Sequence, residues 1–206
     1  MAQVLYIEAS PAKSSSHSIQ VAKIFLNAYR HAHPQDDLAT IDLWAEDLPP
    51  FDGETIEAKF AVLRKKEFTP EQQARWDAVQ RISRRFNAAD KYIFSVPMWN
   101  FGIPYRLKHY IDVVTLAGEN WSWSRAAGYR SLLSGKKALL VCASAGEYGV
   151  NDPADFQKPY LRRWLNFIGV TEIQEISVAP TLADPDALHR TKCKAEAAAV
   201  QLAATF

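Results

Sequence analysis

Short apolar, β-rich runs alternate along this chain with segments whose apolar residues recur at helical spacing, and that alternation fixes the fold class before any motif is read. Residues 4–7 are the first such run, and residues 18–29 then place Ile19, Ala22, Phe25, Leu26 and Tyr29 on one helical stripe. Residues 38–43 read as a second strand, followed by a proline- and acid-rich loop over 44–53 and a short helix over 54–66. Thr69-Pro70-Glu71-Gln72 combines a capping residue, a first-turn proline and polar side chains at a positive helix end, which predicts a helix to about residue 87. The third strand spans 91–96 and is stopped by Pro97, which has no N–H for a ladder. After Pro104 the positions Leu107, Tyr110, Ile111, Val114 and Leu116 predict a third major helix capped by Gly118. An aromatic and basic segment, 119–134, precedes a fourth strand at 137–143. A helix at 159–168 ended by Gly169, a fifth strand at 173–179 and an Ala-rich helix at 185–204 complete the chain.

Strands joined by helical crossovers build a parallel sheet, because right-handed connections return the chain to the same end of the sheet. The expected architecture is therefore α/β: a doubly wound, five-stranded parallel sheet of order 2-1-3-4-5 with helices on both faces. No repeat or linker divides the 206 residues, so one domain over 1–206 is expected. In that order the first, third and fourth strands are neighbours, and the loops at their carboxyl ends converge on one crevice.

Composition removes several function classes. With 24 Lys+Arg against 23 Asp+Glu, the net charge of +1 gives no electrostatic footprint for nucleic acid. No run approaches the ~20 apolar residues of a membrane span, and the chain opens on a core strand without a signal-like region, so a cytoplasmic protein off the membrane is expected. Cys142 sits in an apolar run and Cys193 in a polar helical one, neither at metal or redox spacing, and no motif for a bound metal is present. Nor does the chain contain GxSxG or HExxH, and Glu8 is the one acid at the strand ends, too few for a phosphohydrolase.

Three loops remain. Residues 9–18, ASPAKSSSHS, place hydroxyls at the start of the first helix, where unpaired N–H groups and a partial positive charge suit a phosphate; the alternative is a plain serine cap. The loop is neither GxxxxGKS nor GxGxxG, so the phosphate it suits is a monoester, as in flavin mononucleotide (FMN). Residues 97–104, Pro97-Met98-Trp99-Asn100-Phe101-Gly102-Ile103-Pro104, offer aromatic surface for a flat ring system, an amide for a heterocycle edge, and a glycine for close backbone approach; the alternative is a proline-bounded turn packed into the core. The third loop, Ala143-Ser144-Ala145-Gly146-Glu147-Tyr148-Gly149, is small and leaves room for a ring edge; the alternative is an ordinary turn, for which this composition is common.

The string VPMWNFGIPYRLKHYIDVVTLAG over 96–118 resembles the PMYNF-containing segment of the FMN-dependent NADH:quinone oxidoreductases, or azoreductases, a flavodoxin-like family; ASPAKSSSHS resembles that family's phosphate loop. The resemblance implies that Ser10, Ser16, His17 and Ser18 hold the FMN phosphate. It implies further that Pro97 to Gly102 line the isoalloxazine, with Met98, Trp99, Asn100 and Phe101 nearest, and that Ser144, Ala145, Gly146 and Glu147 meet its far edge. Trp99 stands where the family usually has Tyr, and Ala145-Gly146-Glu147 where it has Arg-Gly-Gly.

What the resemblance implies for activity is a ping-pong cycle. NADH reduces FMN and leaves, and a quinone or azo compound then takes the same position, with no catalytic side chain required. It also implies a homodimer with FMN near the interface. Trp121 and Trp123, alternating in a polar stretch, suit a wall of the substrate pocket or a partner chain, or simply local packing on the preceding helix. The competing function is a non-catalytic electron carrier of flavodoxin type, against which the near-neutral charge and the Trp-bearing segment both speak.

Overall fold

A computed structural model gives the fold, and it describes residues 1–64 and 67–206. The five-stranded sheet comprises β1 (Gln3–Glu8), β2 (Asp37–Asp42), β3 (Lys91–Pro97), β6 (Lys137–Ala143) and β7 (Glu172–Val178), in the order β2-β1-β3-β6-β7. Every pairing in it is parallel. This is the expected 2-1-3-4-5 order once the strands of the main sheet are counted alone. β4 (Trp121–Ser124) and β5 (Gly128–Ser131) form a separate antiparallel hairpin.

The sheet is central because β1, β3 and β6 are apolar on both faces, and each face needs a helical layer. One layer is α1 (His17–Ala32) with α6 (Pro185–Ala203), which bury Phe25, Leu26, Ala195 and Ala199 against Val4, Tyr6, Ile93 and Val141. The other is α3 (Pro70–Ala88), α4 (Tyr105–Val114) and α5 (Lys158–Ile168), whose Phe86, Leu107, Tyr110 and Trp164 pack on Leu5, Ile7, Phe94 and Leu140. α2 (Gly53–Leu63) lies outside that layer and joins a small cluster of Ala58, Trp76, Val79, Val113 and Leu116. The last two residues of the helix expected over 54–66 lie outside the described residues.

The Thr69 cap is present in full. Its hydroxyl accepts from Gln72 N–H, the Gln72 side chain accepts from Thr69 N–H, and Pro70 opens α3. Gly169 ends α5 in the left-handed conformation, where an added Cβ would collide with the Leu133 carbonyl at 2.0 Å.

Three local expectations are corrected. β3 continues through Pro97, which pairs in register with Ala143; as the last residue of the strand its missing N–H costs nothing. α4 ends at Val114 rather than reaching Leu116, because the buried Asn120 side chain accepts from the Leu116 N–H and, with the Ser83 hydroxyl, donates to the Val114 carbonyl. Gly118 is consequently not its cap, and its N–H donates to Trp121 O in the turn that launches the hairpin. The β4–β5 hairpin is not among the elements the sequence predicts; its Trp-Ser-Trp-Ser alternation is the period of a strand with one face outward.

Candidate flavin site

The crevice lies where β1, β3 and β6 end. A hollow of about 270 Å³ there is lined by Ser10, Pro11, Ala12, Ser15, Ser16 and His17 from the first loop, Pro97, Met98 and Trp99 from the second, Ala143, Ser144 and Ala145 from the third, and Thr181. Sheet order thus brings together residues separated by more than a hundred positions in the chain.

The first loop is built to receive an anion. Ser16 is the N-cap of α1, yet its hydroxyl caps nothing; it lies 3.2 Å from the fully buried Ser18 hydroxyl. Gln20 is the first residue of α1 whose N–H finds a carbonyl, that of Ser16, so the N–H groups of His17, Ser18 and Ile19 are unmatched by backbone. The Nδ1 atom of His17 is buried without a partner. Burial, seconded by the Lys192 charge, lowers the His17 pKa from its ordinary value, so the imidazole is neutral at pH 7. Unmatched donors, clustered hydroxyls and an orphaned ring nitrogen fit a phosphate, whereas a plain serine cap would spend the Ser16 hydroxyl on one of those N–H groups. Nearby carboxylates do not oppose an anion: Lys13 pairs with Glu8 at 3.3 Å and with Asp42. Burial works against the Lys13 charge, but those two acids raise its pKa nonetheless.

The second loop is a tight turn. Trp99 and Gly102 exchange both backbone hydrogen bonds at 3.0 Å, while Asn100 and Phe101 between them adopt φ of 48° and 69°. A two-residue turn with both central residues left-handed is the type I′ geometry. The special backbone therefore sits at Asn100 and Phe101, not at Gly102, where an added Cβ would meet Trp99 O at an ordinary 3.9 Å. An aromatic residue held left-handed is strained, and such strain persists where surrounding structure over-determines it. Trp99 is 37% and Phe101 53% exposed, which rules out the packed-core alternative for this turn.

A larger cavity of about 750 Å³ shares Trp99 with the first hollow and is also lined by Phe51, Asn100, Ile103, Tyr105, Lys108, His109 and Asp112. Two aromatic residues not singled out in the sequence frame this rim. Trp44 lies 5.8 Å from Trp99 and 5.4 Å from Tyr105, ring centre to ring centre. Thr181 was equally unmarked: its N–H and hydroxyl both donate to Ser144 O, at 2.9 and 3.0 Å.

The third loop is partly committed to itself, since the Ser144 hydroxyl donates to Gly146 O at 2.8 Å. Gly146 and Glu147 are exposed and line neither cavity. Trp121 and Trp123 stand apart. They line a different hollow with Val62, Leu63 and Tyr129, and within one chain they do not reach the crevice.

Similarity to known proteins agrees with this geometry. Residues 2–202 match the family model described as flavodoxin-like fold. The FMN-dependent NADH:quinone oxidoreductase of Desulfotalea psychrophila is 40% identical, covering 98% of this chain and 97% of its own; that of Nitratidesulfovibrio vulgaris strain DP4 is 40% identical with both chains covered in full. An azoreductase from Bacillus anthracis str. Sterne superposes with a TM-score of 0.91 at 26% identity, all of both chains covered. A second B. anthracis structure, an FMN-dependent NADH-azoreductase in complex with FMN, has a TM-score of 0.85 at 30% identity, covering 98% of this chain and all of that one. The chain belongs to the flavodoxin-like fold family and, within it, to the FMN-dependent NADH:quinone oxidoreductases.

Proposed function

We propose that this protein binds FMN in the β1/β3/β6 crevice and uses it to carry reducing equivalents from NADH to quinones and aromatic azo compounds. The observation that carries the reading is the uncapped start of α1, with the Ser16 hydroxyl free of it and His17 Nδ1 orphaned, directly across a 270 Å³ hollow from Trp99. Bound there, FMN supplies the hydride-accepting and hydride-donating centre.

The chain's own part is to bind, orient and shield. First-turn N–H groups of α1 and the hydroxyls of Ser10 and Ser16 hold the phosphate, with Ser18 supporting Ser16 from behind. Pro97, Met98 and Trp99 give the ring system an apolar wall, and Asn100, which lines the larger cavity, meets its polar edge. Phe101 and Gly102 complete the turn, and Ser144 and Ala145 close the far side. Phe51, Ile103 and Tyr105 supply the apolar surface on which the nicotinamide and then a flat acceptor lie in succession.

We further propose one domain, working in the cytoplasm as a homodimer. In support, no helix among the described residues is long and apolar enough to cross a membrane. Ile56, Phe60 and Leu63 of α2 and Trp123 and Tyr129 of the hairpin are exposed, an apolar surface suited to a second copy.

Anaerobic addition of NADH to the FMN-loaded protein tests the activity. Rapid bleaching of the visible flavin bands, reversed by a quinone and sustained over many turnovers with parallel double-reciprocal lines, is the expected result. Sluggish reduction by NADH identifies an electron carrier instead and overturns the reductase reading.

A further inference from the structure

The strained turn facing the crevice is held from outside by a segment that lines neither cavity. Phe156 N–H donates to the carbonyl of Phe101 at 2.9 Å, and the next residue, Gln157, sends its Nε2 to the carbonyl of Val96 at 3.1 Å. Consecutive residues thus grip both ends of the stretch from Val96 to Phe101, while Met98 N–H pins its middle to Ala143 O at 2.7 Å. Gln157 is 1% exposed, and because Val96 O accepts only donors its amide orientation is fixed, which leaves Oε1 buried without a partner. A buried unpaired oxygen is costly, and hydrophobic packing alone would not call for an amide here.

The grip is itself anchored. Asp155 Oδ1 accepts from the N–H of Gln157 at 2.9 Å and of Lys158 at 3.1 Å, fixing the start of α5. Asp155 also forms an ion pair with Lys158. Burial alone would raise the Asp155 pKa, but the Lys158 side chain and these N–H groups hold it below its ordinary value, so the anchor is ionised at neutral pH.

We infer that Gln157 is a positioning residue for the Trp99–Gly102 turn: through Val96, and with Phe156 on Phe101, it sets the surface against which the flavin lies. The inference rests on the FMN reading above. A segment at the head of α5 therefore governs ring placement without touching the ring.

The test replaces Gln157 with Met, which keeps length and bulk and removes the amide. Titration of the Gln157→Met apoprotein with FMN should show roughly tenfold weaker binding, the size of one lost buried hydrogen bond. The visible circular dichroism of its bound flavin should also change, a signature of altered ring surroundings that loss of stability alone would not produce. Wild-type affinity together with a wild-type dichroism spectrum overturns the inference. Should the variant not fold, amide hydrogen exchange on the wild-type protein decides: FMN should slow exchange at Phe156 N–H, and indifference to FMN overturns the inference. A wild-type protein that takes up no FMN at all defeats the functional reading itself, a separate and recognisable outcome.

Discussion

The indole N–H of Trp44 donates to the carbonyl of Ala9 at 3.0 Å, tying the loop after β2 to the loop after β1 at the point where the anion cradle begins. The same indole lies against Trp99, so one side chain braces both the phosphate end and the ring end of the crevice. Trp44→Phe keeps an aromatic ring, smaller than the indole, and removes the donor. It should cost about 1 kcal/mol, lowering Tm by roughly 2–4 °C in a domain of this size. FMN affinity should fall with it, which calorimetric melts and flavin titration would record together; an unchanged Tm would show that the bond contributes nothing.

The cradle makes a sharper prediction. Because the Ser16 hydroxyl does not cap α1, removing it and its Ser18 partner should leave the helix intact. Ser16→Ala with Ser18→Ala should weaken FMN by roughly one to two orders of magnitude, as expected for one or two hydrogen bonds to a charged group. Riboflavin, which lacks the phosphate, should bind the variant as it binds the wild type. Equal losses for both ligands would place the phosphate elsewhere.

Asn100 separates backbone from side chain. At φ 48° alanine is strained by about 1–2 kcal/mol whereas glycine is not. Asn100→Gly should therefore lose flavin affinity with little change in Tm, and Asn100→Ala should lose both. Retention of wild-type affinity by the glycine variant would refute the contact assigned to the amide.

His17 gives the apoprotein a pH dependence of defined sign. Burial, then the Lys192 charge, holds its folded-state pKa below the ordinary value near 6.5. The unfolded chain accordingly takes up a proton that the folded protein resists. The stability that follows is complete above about pH 6.5 and is lost as the pH falls through the lowered folded-state value. His17→Gln should flatten that part of a Tm-against-pH curve, and FMN should do the same in the wild type by offering Nδ1 an anion. Identical acid limbs for wild type and variant would contradict this.

Strand order and helical layers were legible because apolar period and proline or glycine punctuation are local signals, and β1, β3 and β6 carry them without interruption. The meeting of Ser16, Trp99 and Ser144 followed from that order alone. Trp44, Tyr105 and Thr181 were not legible, since each matters through a contact that exists only after the loops are folded together. The left-handed backbone of Asn100 and Phe101 was not legible for a related reason. A type I′ turn puts its left-handed residues between the bridged pair, and here those residues are Asn100 and Phe101. The hairpin of β4 and β5 was obscured because its alternating tryptophans resemble exposed ligand-binding residues as much as a strand.

The most direct test of the central claim is a crystal structure of the protein loaded with FMN. The account predicts the phosphate among Ser10, Ser16 and the first turn of α1, with the rings against Pro97, Met98 and Trp99. Flavin bound elsewhere, or a crevice closed by the protein's own side chains at saturating FMN, would contradict it.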